Sequence, residues 1–169
     1  MRLPPAFLLS ACLALAAAPA LARESLGMFE GWGAFRDPGA EAGGPRCFAI
    51  AKAIPSQMRR DYQPYASVAT WPRRHVRGQL HVRLSRRLLP GGRIVLTIGE
   101  QRFALTGGGG DAWAVDRGMD AAIVAAMRSA REMTVSARDA AGRGFSNTWP
   151  LAGAATAMDA AAIGCARVR

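Results

Sequence analysis

Two histidines are the first residues to consider for acid–base or metal chemistry. His75 and His81 are the only histidines in the chain, and on an extended segment their spacing puts them roughly 20 Å apart, too far to share one metal ion. No cysteine or carboxylate with zinc-ligand spacing stands beside either of them. The sequence therefore predicts solvent-facing histidines, with no metal and no cofactor.

Signatures of nucleophilic and paired-carboxylate catalysis are also missing from the sequence. There is no Gly-x-Ser-x-Gly elbow, and the acidic residues are scattered singly. A Ser-His-Asp site stays open, because its members meet in space rather than along the chain. We predict a protein without catalytic residues, and a hydrolase with an unrecognised site is the alternative.

The N-terminal stretch has the pattern of an export signal. An apolar run from Leu3 to Leu21 follows a basic residue and ends at Ala22 in a small-x-small cleavage pattern. Three prolines interrupt the run, which therefore falls short of the roughly 20 uninterrupted apolar residues that a membrane span needs. We expect residues 1–22 to be a signal peptide and residues 23–169 to form one mature domain that is periplasmic or secreted.

A lipobox-like segment offers a second interpretation of the same stretch. In Leu9-Ser10-Ala11-Cys12 the cysteine would become an acylated first residue. Cleavage there would leave a short apolar region upstream and would expose Leu13 to Leu21 as a new apolar N-terminus. We therefore favour cleavage after Ala22, and a lipoprotein acylated at Cys12 is the alternative.

Removal of the signal peptide leaves two cysteines, Cys47 and Cys165. Disulfides persist in the compartments that exported proteins reach. A bridge between these cysteines would close a loop of more than a hundred residues. Because such a crosslink lowers the entropy of the unfolded chain, it would stabilise the fold by roughly 4–5 kcal/mol. We predict an intramolecular Cys47–Cys165 disulfide, and the rivals are two free buried thiols or intermolecular pairing.

The positive charge is the clearest indication of a partner. The formal net charge is +10, and Lys52 is the only lysine. The abundance of alanine and glycine suggests GC-rich codons, which explain why nearly all basic residues are arginines rather than lysines. The net positive charge still attracts the protein to anionic surfaces, in a way that depends on salt. Export and the lack of a nucleic-acid motif argue against nucleic acid. The predicted anionic-partner contacts are Arg73, Arg74, Arg77, Arg83, Arg86 and Arg87.

A simpler interpretation of these arginines is a solvated basic face with no partner, because charge runs usually lie in solvent. The partner that we weigh against it is an anionic envelope or host-surface component, such as an outer-membrane glycolipid or a host polysaccharide. Peripheral membrane association would follow from the same charge.

Alternating apolar and polar residues predict a mainly β domain. Within Gln79 to Ser85, Leu80 and Val82 should face the core while His81 and Arg83 face solvent. The other predicted strands are Phe29 to Phe35 with a bend, Arg46 to Ala51, Ala66 to Trp71, Arg93 to Ile98, Gln101 to Leu105, Met133 to Ala137 and Phe145 to Leu151.

Two loops and two helices complete the prediction. Pro55 to Tyr65 and the glycine run Gly107 to Gly110 should be loops, and no Lys-Ser/Thr follows the glycines to suggest a phosphate site. A helix should begin after Asp116 or Asp120 and end near Arg131.

An alanine-rich helix is expected over Gly153 to Ile163, with Gly164 as its left-handed end. Together these elements predict an antiparallel β-sandwich-like single domain with two short helices.

Several features follow one another in a distinctive order. They are a signal peptide, Gly31-Trp32-Gly33, Pro45-Arg46-Cys47-Phe48, a strand at Gly92 to Ile98, a polar hairpin, a helix at Asp120 to Arg128, a strand, Leu151-Ala152-Gly153 and an alanine-rich closing helix. Over nearly all of the mature chain, this order resembles the invasion-associated locus B family of exported alphaproteobacterial proteins. The resemblance implies an exported β-sandwich-like domain, linked to host-cell invasion in pathogenic relatives, with no catalytic residues.

The chain departs from that family in its cysteines. Members often carry a cysteine soon after the first tryptophan and a pair before the middle helix. This chain has Phe35-Arg36 and Gly107 to Asp111 there, so it cannot form those bridges.

We expect a non-enzymatic periplasmic or cell-envelope protein with a binding or accessory role at an anionic surface. The alternative is a periplasmic hydrolase. A deep pocket that holds His75 or His81 beside a serine and an aspartate would favour the hydrolase.

Overall fold

The computed structural model describes residues 23–39 and 44–166, and within these ranges ten strands form one antiparallel sheet. The strands are β1 (Glu24–Phe29), β2 (Trp32–Asp37), β3 (Arg46–Lys52), β4 (Tyr65–Trp71), β5 (Val76–Arg83), β6 (Ile94–Ile98), β7 (Gln101–Gly108), β8 (Asp111–Trp113), β9 (Glu132–Arg138) and β10 (Gly144–Pro150). The helices are α1 (Arg117–Met127) and α2 (Ala154–Ala166). The predicted mainly β, sandwich-like domain with two short helices is confirmed, whereas the predicted signal peptide and Cys12 lie outside the described residues.

The strand order across the sheet is β1-β2-β3-β4-β5-β8-β7-β6-β9-β10. Alternate residues of both halves face a shared core, where Leu80, Leu96 and Val135 are completely buried. Leu80 and Val82 face the core and His81 faces away from it, as the alternation predicted. The indole N–H of Trp32 on β2 donates to the Pro150 carbonyl at the end of β10 (2.8 Å), so the first and last parts of the sheet are tied together.

Helix α2 packs across β1, β2, β3 and β4 through small buried side chains such as Ala157 and Ala161. Its last turn carries Cys165, which is bonded to Cys47 of β3 with a Cα–Cα distance of 5.7 Å across a sequence separation of 118. The predicted disulfide is therefore confirmed.

The predicted end of this helix at Gly164 is wrong. The helix continues through Gly164 to Ala166, and a Cβ on Gly164 would lie 2.5 Å from a methyl carbon of Leu26 in β1. The glycine thus allows β1 to approach the helix closely, rather than supplying a left-handed end. Because the helix continues, it brings Cys165 to β3.

Helix α1 begins after Asp116, whose side chain accepts a hydrogen bond from the Met119 backbone N–H (2.8 Å). It ends at Met127, before the predicted Arg131. The buried Asp120 of this helix accepts a hydrogen bond from the Leu80 backbone N–H (2.8 Å). Burial raises the pKa of Asp120, and the Leu80 hydrogen bond offsets part of that effect.

Two strand predictions also need correction. The single bent strand from Phe29 to Phe35 is in fact the hairpin of β1 and β2, which turns at Glu30 and Gly31.

The glycine run Gly107 to Gly110 is not a flexible loop but part of a tight hairpin that leads into β8, a strand the sequence did not predict. A Cβ on Gly107 would overlap the Asp111 carbonyl oxygen, so only glycine fits there.

Asp139 anchors the turn between β9 and β10. Its side chain accepts hydrogen bonds from the Ala141 and Arg143 backbone N–H groups, both at 3.0 Å, and from the Arg86 guanidinium at 3.1 Å. Burial opposes ionisation, but the hydrogen bonds with Arg143 and Ala141 outweigh it and hold the pKa of Asp139 below its ordinary value.

This lowered pKa predicts a specific acid sensitivity. Because the unfolded chain binds the Asp139 proton more readily, the stabilisation is present above the ordinary pKa of 3.8 and is lost as the pH falls through the lower folded value. We expect Asp139→Asn to lower the urea midpoint at pH 7 and to flatten its decline below about pH 5. Glu100→Gln in the exposed β6–β7 turn should follow the wild-type curve. A curve for Asp139→Asn that stays parallel to the wild type would contradict the assignment.

Candidate functional site

Three of the predicted arginines form an exposed group that we call the arginine corner, Arg73, Arg74 and Arg77. A short 3-10 turn at Pro72–Arg74 follows β4, and His75 ends it in a left-handed conformation before β5 begins. All three arginines are exposed. Within the described residues, none of them lies within ion-pair distance of a carboxylate.

The other three predicted arginines lie outside the corner, and two of them are paired with carboxylates. Arg83 is ion-paired with Asp111, and its guanidinium carbon lies 4.0 Å from the centre of the Tyr62 ring. The side chain of Arg86 is only 14% exposed and pairs with Asp61 and Asp139. Arg87 is exposed. The structure therefore does not bring the six arginines together. The ion pairs of Arg86 stabilise the fold and leave it little exposed for a partner.

A concave surface that we call the sheet basin lies on the face of the sheet opposite α2. Its floor is Ser67 and Ala69 of β4, with Tyr65 and Trp71 of the same strand at its ends. The basin has a volume of about 480 Å³. Its remaining lining residues are Arg23, Arg46, Phe48, Ile50, Gln79, His81 and Trp113.

Strand register explains why these side chains meet. Ser67 of β4 is opposite both Ile50 of β3 and His81 of β5, and His81 is in turn opposite Trp113 of β8. Residues directly opposite in an antiparallel pair point to the same face of the sheet. One row across four strands therefore builds the middle of the basin.

Aromatic rings line both sides of the basin. On one side the His81 ring stacks on Trp113 at 5.1 Å between centres and meets the Tyr65 ring edge-on at 5.5 Å. On the other side the guanidiniums of Arg46 and Arg23 lie 4.6 and 5.2 Å from the centre of the Phe48 ring. Stacking and cation–π contacts hold these groups in fixed positions.

The basin is more positive at its Phe48 side. Arg23 and Arg46 share a single carboxylate, Asp37, at 3.8 and 3.4 Å. The Nε atom of Arg46 is buried and has no hydrogen-bond partner within the described residues. Counting residues 23–39 and 44–166, this side therefore has one guanidinium in excess of its carboxylates.

His81 departs from the sequence-based expectation of a histidine without partners. Its Nε2 atom lies 2.9 Å from a carboxylate oxygen of Asp111, which also pairs with Arg83. His75 is exposed, as expected. The Asp111 partner lies 30 residues further along the chain, so local pattern could not have identified it.

A groove of about 360 Å³ lies on the other side of the sheet, between β4, β5 and the two helices. Val124, Met158 and Ala161 form part of its apolar wall, and Arg77 and Arg128 line it as well. Arg128 is paired with Asp159 at 2.6 Å. Arg77 of the arginine corner thus borders this groove.

Neither a membrane-spanning helix nor a cluster of metal ligands is present in the described part of the chain. No helix among the described residues is long and apolar enough to cross a membrane. Across residues 23–39 and 44–166, no three His, Cys, Asp or Glu side chains are grouped to hold a metal ion. Comparisons with protein-family models, curated proteins and solved structures give no match. The resemblance to the invasion-associated locus B family accordingly stays a prediction from the sequence pattern.

Proposed function

We propose that this chain is an exported, non-enzymatic binding or accessory protein of the cell envelope, of the invasion-associated locus B type, which contacts an anionic surface through the arginine corner. The proposal rests on the exposure of Arg73, Arg74 and Arg77, which lie on one short turn and at the start of β5. Among the described residues, no carboxylate lies within ion-pair distance of these three side chains. The Cys47–Cys165 bridge supports the export, since such bridges persist in oxidising compartments.

The expected size of the effect follows from simple electrostatics. An arginine at an anionic lipid surface contributes about 1 kcal/mol. Three arginines therefore supply about 3 kcal/mol, which corresponds to roughly 150-fold in affinity. Salt screens this attraction, because charges separated by more than about 10 Å hardly interact at 0.1 M salt.

A matched pair of triple variants tests the corner. We expect Arg73→Ala/Arg74→Ala/Arg77→Ala to weaken co-sedimentation with phosphatidylglycerol-containing vesicles by about 150-fold at low salt. The control, Arg102→Ala/Arg117→Ala/Arg131→Ala, removes the same charge from exposed positions elsewhere and should bind like the wild type. Vesicles of phosphatidylcholine alone should bind none of the three proteins.

Export has its own test. The intact mass of the protein purified from the envelope fraction should match a chain that begins at Arg23 with one disulfide. A lipid-bearing species that begins at Cys12 would instead make the protein an anchored lipoprotein.

A hydrolase is the second candidate, and one observation favours it. Ser67 is directly opposite His81, and His81 is hydrogen-bonded to Asp111. Asp111 is shared with Arg83, however, and the basin is an open depression rather than the deep pocket that would favour a hydrolase. Release of p-nitrophenol from p-nitrophenyl acetate should be the same for the wild type and for Ser67→Ala. Activity that is lost in Ser67→Ala would instead establish the hydrolase.

A further inference from the structure

We propose that the sheet basin binds a short acidic oligosaccharide, with a carboxylate of the ligand against Arg46 and Arg23. This inference rests on the proposed function, because it names the chemistry of the anionic partner. Arg73 lies between the two surfaces: it is two residues after Trp71 at the end of the basin, and its Cδ, Nε and Nη1 atoms lie against Gly44, two residues before Arg46. A chain of sugars could therefore extend from the basin onto the arginine corner.

The shape of the basin fits a linear ligand. Tyr65 and Trp71 stand six residues apart on one face of β4, which separates them by roughly 20 Å. Between them the floor is made of the small, buried Ser67 and Ala69. A depression of this length with a low floor has room for several rings in a row, rather than for one compact molecule.

The chemistry of the lining fits sugar rings. A pyranose ring has apolar C–H faces, which pack on aromatic rings, and hydroxyl groups at its edge, which need polar partners. The basin provides half-buried aromatic rings at Trp71 and Tyr65 and an exposed one at Trp113. Ser67 and Gln79 lie between those rings and provide a hydroxyl and an amide. A lipid chain would leave these polar groups unpaired, so the lining favours a carbohydrate over an acyl chain.

The charge of the basin favours an acidic sugar. Arg23 and Arg46 share only Asp37, and the buried Nε of Arg46 has no partner among the described residues. A ligand carboxylate would supply the missing negative charge, and guanidinium–carboxylate pairs are among the stronger charge-assisted hydrogen bonds. At the opposite wall, Asp111 already balances Arg83. The carboxylate of the ligand should therefore lie at the Phe48 side.

Calorimetric titration with tetragalacturonate and with its methyl ester tests the inference, since esterification removes the carboxylate charges and leaves the sugar rings and hydroxyl groups unchanged. We expect the wild type to bind the acid at least ten-fold more tightly than the ester. Arg46→Gln should lose at least ten-fold for the acid and little for the ester, whereas Trp71→Ala should weaken both probes. Arg117→Gln, at an exposed position on α1, is the matched control and should bind like the wild type. The urea midpoints of all variants establish that they are folded.

The outcomes separate this inference from the proposed function. If the protein binds phosphatidylglycerol vesicles through the arginine corner but does not bind tetragalacturonate, the basin assignment is wrong and the proposed function stands. If it binds neither probe, both are wrong. Equal affinity for acid and ester, or unchanged binding by Arg46→Gln, would overturn the role of the basin charge. Vesicle binding that is lost in Trp71→Ala would make the basin a lipid site instead.

Discussion

Reduction of the Cys47–Cys165 bridge should lower the free energy of unfolding by about 4–5 kcal/mol. The bridge joins residues separated by 118 positions. Reduction therefore raises the conformational entropy of the unfolded chain considerably, which favours unfolding. A domain of this size typically has a total stability of about 5–15 kcal/mol. Loss of the bridge therefore removes a large share of it.

The packing of α2 makes the fold especially dependent on this bond. The helix contacts the sheet mainly through buried alanines, Ala154, Ala157 and Ala161. Each alanine buries little apolar surface, so the hydrophobic stabilisation of the docked helix is small for its length. We expect the C-terminal turn of α2 to leave the sheet first when the bond is broken.

Urea denaturation with and without dithiothreitol measures this effect. The wild type should show a much lower midpoint after reduction, whereas Cys47→Ala/Cys165→Ala should show the low midpoint in both conditions. An unchanged wild-type midpoint, with two free thiols counted in the reduced sample, would contradict the role of the bridge.

Truncation of Trp32 should have the second large effect. Its side chain is completely buried, and its indole N–H donates to the Pro150 carbonyl. Replacement of a buried tryptophan by alanine costs about 3–5 kcal/mol through lost burial and the cavity that remains. We expect Trp32→Ala to lower the free energy of unfolding by this amount, as measured by urea denaturation.

A second tryptophan separates the hydrogen bond from the packing. Trp149 is also completely buried, but its indole N–H has no hydrogen-bond partner within the described residues. Replacement by phenylalanine removes the same atoms at both positions. Trp32→Phe should therefore cost about 1 kcal/mol more than Trp149→Phe, the net value of one hydrogen bond. Equal losses would show that the Pro150 contact contributes nothing.

Strands with strict alternation were predictable because one face is buried and the other is not. In β5 the order of Leu80, His81, Val82 and Arg83 gives both the strand and the face of each side chain. The pairing of Cys47 with Cys165 was predictable for a different reason. Once Cys12 was assigned to the signal peptide, two cysteines remained, and a distance of 5.7 Å between their Cα atoms permits the bond.

Features that depend on distant contacts were not predictable. Strand β8 has three residues and follows two glycines, so it carries no periodic pattern, and its pairing with β5 becomes visible only in three dimensions. Gly164 has the position of a helix end in the sequence, but the contact with Leu26 keeps it inside α2. The contact that keeps Gly164 helical comes from a residue far along the chain, and so does the β5 strand that completes the pairing of β8.

The site was predictable in part. The positive charge indicated arginines after β4, and Arg73, Arg74 and Arg77 are indeed exposed. The local sequence could not show that Arg86 forms ion pairs with Asp61 and Asp139, which lie far from it along the chain.

The basin had a visible signal in the alternation of Tyr65, Ser67, Ala69 and Trp71, two aromatic residues around two small ones. Which face α2 covers was not visible in the sequence, and this decides which face of the sheet forms the basin.

The affinity of the purified protein for phosphatidylglycerol-containing vesicles, measured at several NaCl concentrations, tests the arginine corner most directly. We expect wild-type affinity to fall steeply with salt, and Arg73→Ala/Arg74→Ala/Arg77→Ala to bind weakly with a much smaller salt dependence. The Arg102→Ala/Arg117→Ala/Arg131→Ala control should retain the wild-type affinity and salt dependence. Equal losses in the two triple variants, or unchanged affinity in the corner variant, would contradict a binding surface at Arg73, Arg74 and Arg77.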